Sequence, residues 1–140
     1  MICLQFEIVL SKKPRGFHLV SDEIIPRLEG IRSVRAGIAH LFLKHTSASL
    51  SLNENADPSV RRDMESFFTD LADDKPYYIH TYEGADDMPA HIKNSLIGTS
   101  LTIPVTDGRL NLGTWQGIYL NEHRDFASSR TVVVTIQGVG

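Results

Sequence analysis

Residues 101–124 read LTIPVTDGRLNLGTWQGIYLNEHR, and this stretch decides the fold. Two short apolar runs, Leu101–Val105 and Leu110–Leu112, flank Asp107-Gly108, a dipeptide suited to a tight hairpin turn. A longer run from Gly117 to Arg124 follows, and Arg130–Gln137 supplies another strand rich in β-branched residues. Strands joined by turns this short pair antiparallel, because parallel neighbours need a crossover of about a dozen residues.

The same pattern extends toward the N-terminus. Ile2, Leu4, Phe6, Ile8 and Leu10 alternate with Cys3, Gln5, Glu7 and Val9, the period of a strand with one buried face. Ser11–Gly16 (SKKPRG) reads as a turn, and Ser21 as the N-cap of a short helix that Pro26 bends. Val34–Lys44 and Ala48–Leu52 are strand candidates expected in one sheet system. Two main helices are expected. The first starts at Asp57-Pro58, where Asp caps free amides and Pro sacrifices none, with Val60, Met64, Phe67 and Leu71 on its inner face. The second opens at Asp87–Pro89, with Asp87 as cap, and closes at Gly98, with Ile92 and Leu96 packing inward. The fold class is α+β: mostly antiparallel sheet in a sandwich-like arrangement, residues 1–140 forming one domain.

With 41% hydrophobic and 22% charged residues in 140, the chain has the make-up of a globular domain. A net charge of -3 lacks the basic field of non-specific nucleic-acid binding. No apolar run approaches the roughly 20 residues that cross a bilayer, and the N-terminal stretch lacks a positive cluster and a cleavage site. A single cysteine, Cys3, excludes an internal disulfide and makes the cytoplasm the expected location.

Three polar segments flank these apolar elements: His45–Asp57, His80–His91 and Gly113–Arg124. His45, His80 and His91 each lie beside carboxylates and are candidate ligands of a divalent metal, zinc or magnesium. The competing reading, ordinary hydrogen bonding, is preferred for His18, His40 and His123. Asn53–Pro58 ends a strand and begins a helix, so Asn55 and its neighbours gather where free amides suit an anion. Asp57 has the competing role of helix cap, whereas Glu54 has no such duty and is the candidate general acid/base. Asp86 is expected to face the same pocket, since adjacent carboxylates call for a cation nearby. Trp115, between Gly113 and Gly117, either stacks on a heteroaromatic ring or packs in the core. Arg124 and Arg130 suit bidentate phosphate binding, or else pair with Glu122 or Asp125. No nucleophile elbow or Walker-type loop occurs, and Cys3 sits inside a strand, which disfavours covalent catalysis.

The stretches RGFHLVSDEI (15–24), HTSASLSLNENADPSVRRDME (45–65), YEGADDMPAHIKNSLIGTSLTIPV (82–105) and LGTWQGIYLNEHRD (112–125) resemble the YjbQ-like family in order and over nearly the whole chain. The resemblance implies the YjbQ-like fold, a homotrimer with pockets near subunit boundaries, and a secondary thiamine-phosphate synthase activity. That reaction joins a pyrimidine diphosphate to a thiazole phosphate and releases pyrophosphate, so the implied partner is a small phosphorylated metabolite. The family's metal-site histidines match His45, His80 and His91, and Glu54, Asp57, Asp86, Trp115, Gln116, Arg124 and Arg130 fall on its motif positions. Gln116 and Asn55 join Trp115 and the arginines as expected ligand-binding residues. One departure is Ala127-Ser128, where many relatives carry Gly-Gly, and it bears on ligand preference. The rival functions are a non-catalytic metal- or metabolite-binding protein and a metal-dependent hydrolase of a small phosphate or lactone.

Overall fold

The N-terminal alternation does form a strand, one of eight in the computed structural model, which describes residues 1–140. In chain order the elements are β1 (Ile2–Val9), β2 (Gly16–Leu19), α1 (Ser21–Ile24), β3 (Ala36–Leu43), β4 (Ala48–Glu54), α2 (Pro58–Ala72), α3 (Asp87–Ile97), β5 (Ser100–Thr106), β6 (Arg109–Leu110), β7 (Gln116–Glu122) and β8 (Thr131–Val139). The architecture is α+β. Five strands pair in the order β1-β8-β3-β5-β6 and three in the order β2-β7-β4, every pair antiparallel. The Asp107-Gly108 turn joins β5 to β6, with both residues at positive φ.

The two sheets face one another across the hydrophobic core. Ile8, Leu41, Leu43, Ile103, Val134 and Ile136 enter from the larger sheet, and Ala48, Leu50, Ile118 and Leu120 from the smaller, all buried. Sheet membership and one helix cap differ from expectation. β3 and β4, assigned to one sheet system, lie in different sheets, because β3 pairs with β5 and β8 whereas β4 pairs only with β7. Ser21 is not a cap: it is the first residue of α1, and its Oγ accepts from the Ile118 amide at 2.9 Å, tying α1 to β7.

The outer face of the three-stranded sheet is polar, and this dictates how the helices sit. Ser49 and Ser51 of β4 both accept hydrogen bonds from Asn121 Nδ2 of β7, at 3.1 and 3.0 Å. Against this face α2 presents Phe68, stacked on Phe17 of β2, and Glu65, which accepts from Arg15 Nε at 3.0 Å. Phe67 and Leu71, expected to point inward, turn to solvent, Phe67 being 60% exposed. The same inversion holds in α3, whose buried residues are Asp87, Pro89, Ala90 and Lys93, while Leu96 is 59% exposed. A polar sheet face takes polar and small partners beside the Phe17–Phe68 contact, and so part of the apolar pattern, Phe67, Leu71 and Leu96, is left on the outer side.

Within this layer Lys93 Nζ pairs with Asp73 Oδ1 at 2.8 Å, and His123 Nε2 lies 2.9 Å from Ser49 Oγ. Burial first, then the charges of Lys93, Arg15 and Arg130, push the fully buried His123 down to about 3 from its ordinary 6.5. The unfolded chain therefore binds a proton below 6.5 that the native state refuses. Stability is complete above that pH and falls toward about 3, by about 1.4 kcal/mol per pH unit. Urea unfolding at pH 7 and 5.5 is expected to show this loss in the native protein and a flatter profile in His123→Gln. Equal slopes in the two proteins would contradict it.

Candidate metal centre

α3 opens with the chemistry the site needs. Asp86 occupies its N-cap position without a side-chain cap bond, and Asp87, expected as the cap, is instead the first helical residue. Its carboxylate is 2% exposed and points into a cluster of basic groups. His80, from the segment between α2 and α3, places Nε2 at 2.8 Å from Asp87 Oδ2. His91, one turn further along α3, places its own Nε2 at 3.3 Å from the same oxygen. The two imidazole rings stand 5.4 Å apart, and these three donor atoms all lie within 4.8 Å of one another.

The hydrogen-bond inventory of His91 is informative. Its Nδ1 lies 2.8 Å from the Thr46 carbonyl, which only accepts, so Nδ1 carries the proton. In the neutral ring Nε2 is then a lone pair facing a carboxylate oxygen. Two acceptors hold that spacing when a cation lies between them or when the ring is an imidazolium. Donors about 2.0–2.2 Å from a tetrahedral ion stand about 3.3 Å from one another, which matches the Asp87–His91 spacing, whereas the 2.8 Å between His80 and Asp87 is that of a direct hydrogen bond. Two imidazoles and one carboxylate leave a fourth position open, the form of a catalytic rather than a structural zinc site. The Thr46 contact also fixes the orientation of His91, as supporting hydrogen bonds do for metal-ligating histidines.

Of the expected ligands, the structure brings His80 and His91 together, with Asp87 in place of a third histidine. His45 Nε2 accepts from the Thr131 amide at 2.9 Å, and that bond uses the lone pair a metal would need. Burial first, then the nearby Arg130 charge, hold His45 below its ordinary value, so the ring is neutral and free to accept. His18, His40 and His123 each have a hydrogen-bond partner within the fold: the Pro14 carbonyl, Thr102 Oγ1 and Ser49 Oγ.

Both arginines are engaged. Arg124 donates from Nε to Asp86 Oδ2 at 2.8 Å, from Nη1 to Asp87 Oδ1 at 2.7 Å, and from Nη2 to the Glu83 carbonyl at 3.0 Å. Asp86 also accepts from the Asp125 amide at 2.9 Å. Burial raises Asp86, but this amide and Arg124 outweigh it and hold the carboxyl below its ordinary value. Arg130 forks onto Glu122, Nε to Oε1 at 2.8 Å and Nη2 to Oε2 at 2.6 Å, and reaches Ser47 Oγ at 2.9 Å. Internal ion pairing, the competing reading, thus describes both side chains, with Asp86 and Asp87 as the unforeseen partners of Arg124.

The remaining candidates gather elsewhere. Glu54 pairs with Gln116 at one end of the β4–β7 ladder, whereas Ala48 pairs with Glu122 at the other, beside Thr46 and His91. Six residue steps along a strand span about 20 Å, so Glu54, Asn55, Asp57, Trp115 and Gln116 lie far from Asp87 within one chain. At that end Asp57 Oδ1 accepts from the Ser59 amide at 2.9 Å, which makes it the cap of α2, and Glu54, expected to have no structural duty, accepts from the Asp57 amide on Oε2 at 3.3 Å. Asn55 Nδ2 donates to the carbonyls of Thr114 and Gln116 at 3.1 and 3.2 Å, and Gln116 Oε1 accepts from the Gly113 amide at 2.8 Å. Gly117 is small because a Cβ would stand 2.5 Å from Leu19 and 3.0 Å from Asn55, an internal reason rather than a ligand. Trp115 is 66% exposed, which removes the core-packing alternative.

The fold and the cluster define an α+β protein with a histidine–histidine–aspartate constellation at one end of its smaller sheet. The chain belongs to the YjbQ-like family: the family model described as UPF0047 protein YjbQ-like matches residues 6–139. It is similar to the UPF0047 protein YjbQ of Salmonella typhimurium, 58% identical over 134 residues, covering 96% of this chain and 97% of that one. A UPF0047 protein of Synechocystis is 50% identical over 132 residues, covering 94% and 89%. Among solved structures, a YjbQ/UPF0047 family protein of Clostridium acetobutylicum superimposes with a TM-score of 0.82 at 36% identity, over 94% of this chain and 99% of that one. A YbjQ-like protein of unknown function from Sulfolobus solfataricus gives 0.85 at 22% identity over 98% of each chain, a likeness of fold. No helix is long and apolar enough to cross a membrane.

Proposed function

We propose that this protein binds one divalent cation through His80 Nε2, Asp87 Oδ2 and His91 Nε2 and acts with it on a small phosphorylated metabolite. The observation that carries the reading is His91 Nε2 facing a buried carboxylate oxygen at 3.3 Å while the Thr46 carbonyl engages the ring's Nδ1. When bound, such an ion supplies Lewis-acid neutralisation of charge on a phosphoryl or diphosphate group. His80 and His91 hold it, Asp87 offsets its charge, and Thr46 and Arg124 orient the ligands.

The finer reading is transferase chemistry of the thiamine-phosphate synthase type, and its support is the family resemblance. Trp115, exposed and amphipathic, is suited to holding a ring, and Glu54 to proton transfer. Because they lie about 20 Å along the sheet from Asp87, they join the metal ligands only across a subunit boundary. The homotrimer that the family resemblance implies is part of the proposal, and the apolar groups that α2 and α3 leave outside, Phe67, Leu71 and Leu96, are consistent with such a boundary. Light scattering is expected to give about three times the chain mass of 15.6 kDa, and a monomer would contradict the shared pocket.

The catalytic test is formation of thiamine phosphate by the purified protein, with His91→Ala beside it. Product that the substitution removes supports the reading, and activity indifferent to it takes the metal ligands out of the mechanism. A second reading, a non-catalytic metal-binding protein, is favoured by one observation: Arg124 and Arg130, the arginines expected to hold phosphate, are already ion-paired. Stoichiometric metal uptake with no turnover would establish it.

A further inference from the structure

The Asp87 carboxylate is divided between two tasks. Oδ1 accepts from Arg124 Nη1 at 2.7 Å, while Oδ2 faces both imidazoles, at 2.8 and 3.3 Å. Arg124 cannot swing away easily, because Asp86 Oδ2 holds its Nε and the Glu83 carbonyl its Nη2. Asp86 is itself anchored by the Asp125 amide. A chain of charge-assisted bonds thus runs from the end of β7, through Arg124, to the first residue of α3.

This arrangement bears on which ion the cluster accepts. With Oδ1 committed, Asp87 offers one oxygen, and the guanidinium draws off part of its negative charge. Magnesium and calcium depend on oxygen ligands and carboxylate charge, so they lose most from that arrangement. Zinc and its neighbours gain from the two imidazoles, which Arg124 leaves untouched. Resting on the metal-binding reading above, we propose that Arg124 is a positioning residue that keeps Asp87 monodentate and makes the site prefer imidazole-seeking divalent ions over magnesium and calcium.

The experiment is a zinc titration of the full chain by calorimetry, repeated in competition with magnesium, for the native protein, Arg124→Gln, Arg124→Lys and Asp86→Asn. Near-ultraviolet circular dichroism checks that each variant is folded. Arg124→Gln is expected to bind zinc about 10- to 100-fold more weakly, the range for losing a supporting contact. Magnesium binding, relieved of the guanidinium's pull on Asp87, should hold or strengthen, so that the zinc-to-magnesium preference falls. Arg124→Lys, which keeps the charge without the fork, should lie between, and Asp86→Asn should shift the same way by less. If Arg124→Gln does not fold, Asp86→Asn decides. Zinc affinity and preference unchanged in the folded variants would overturn the positioning role while leaving the metal site standing. A native protein that takes up no zinc would overturn the metal reading itself, and this role with it.

Discussion

Arg130→Met is expected to destabilise the protein by about 3–5 kcal/mol, the cost of leaving a buried charge without its partner. Glu122 is fully buried and its two oxygens face the Arg130 fork, so no water stands ready to replace the guanidinium. The carboxylate, left with the Arg124 amide at 3.2 Å as its remaining donor, strains the ladder between β4 and β7 where Ala48 meets Glu122. Ser47 Oγ also loses a partner. Adding Glu122→Gln should recover much of the loss, since a neutral amide costs less to bury than a bare carboxylate. Urea unfolding of the two variants measures both effects. A loss below about 1 kcal/mol for Arg130→Met, typical of an exposed pair, would mean that water reaches this end of the sheet.

That ion pair illustrates what the sequence conceals. The α2 start was legible because its signals are local: Asp57 and Pro58 sit side by side, and Asp57 does cap the helix. The strands with regular alternation or β-branched runs were legible for the same reason. β2 was not, since four residues paired only with β7 carry too little periodicity. Sheet membership was misread for β3 and β4 because pairing is decided by partners far along the chain. The helix faces were misread because a hydrophobic pattern does not say whether the surface opposite is polar. At the site, His80 and His91 were legible as neighbours of acidic residues, while Asp87 resembled a cap. Its burial depends on Arg124, which lies 37 residues away in sequence. His45 offered no local sign that Thr131 would claim its lone pair, from 86 residues away. An aspartate followed four residues later by histidine on a helix, which places both on one face, is the local signal that points to Asp87.

Asp87→Asn is expected to weaken divalent-metal binding by at least about 100-fold, beyond the usual cost of a lost supporting contact. The substitution keeps the shape and removes the charge. Its amide must also turn an NH2 group toward either Arg124 or the imidazoles, and Arg124 is itself a donor. His91→Ala should act as strongly, because it removes a donor atom outright. His45→Ala is the informative contrast. It should leave metal affinity unchanged and cost about 1–3 kcal/mol of stability through the orphaned Thr131 amide. Affinity lost equally in His45→Ala would restore a third histidine to the ligand set.

The most direct measurement is an anomalous-difference map at the zinc edge, from crystals of the purified protein grown with one equivalent of zinc per chain. One peak per chain is expected, about 2.0–2.2 Å from His80 Nε2, His91 Nε2 and Asp87 Oδ2. No peak there, or a peak bound through His45 in place of Asp87, would contradict it.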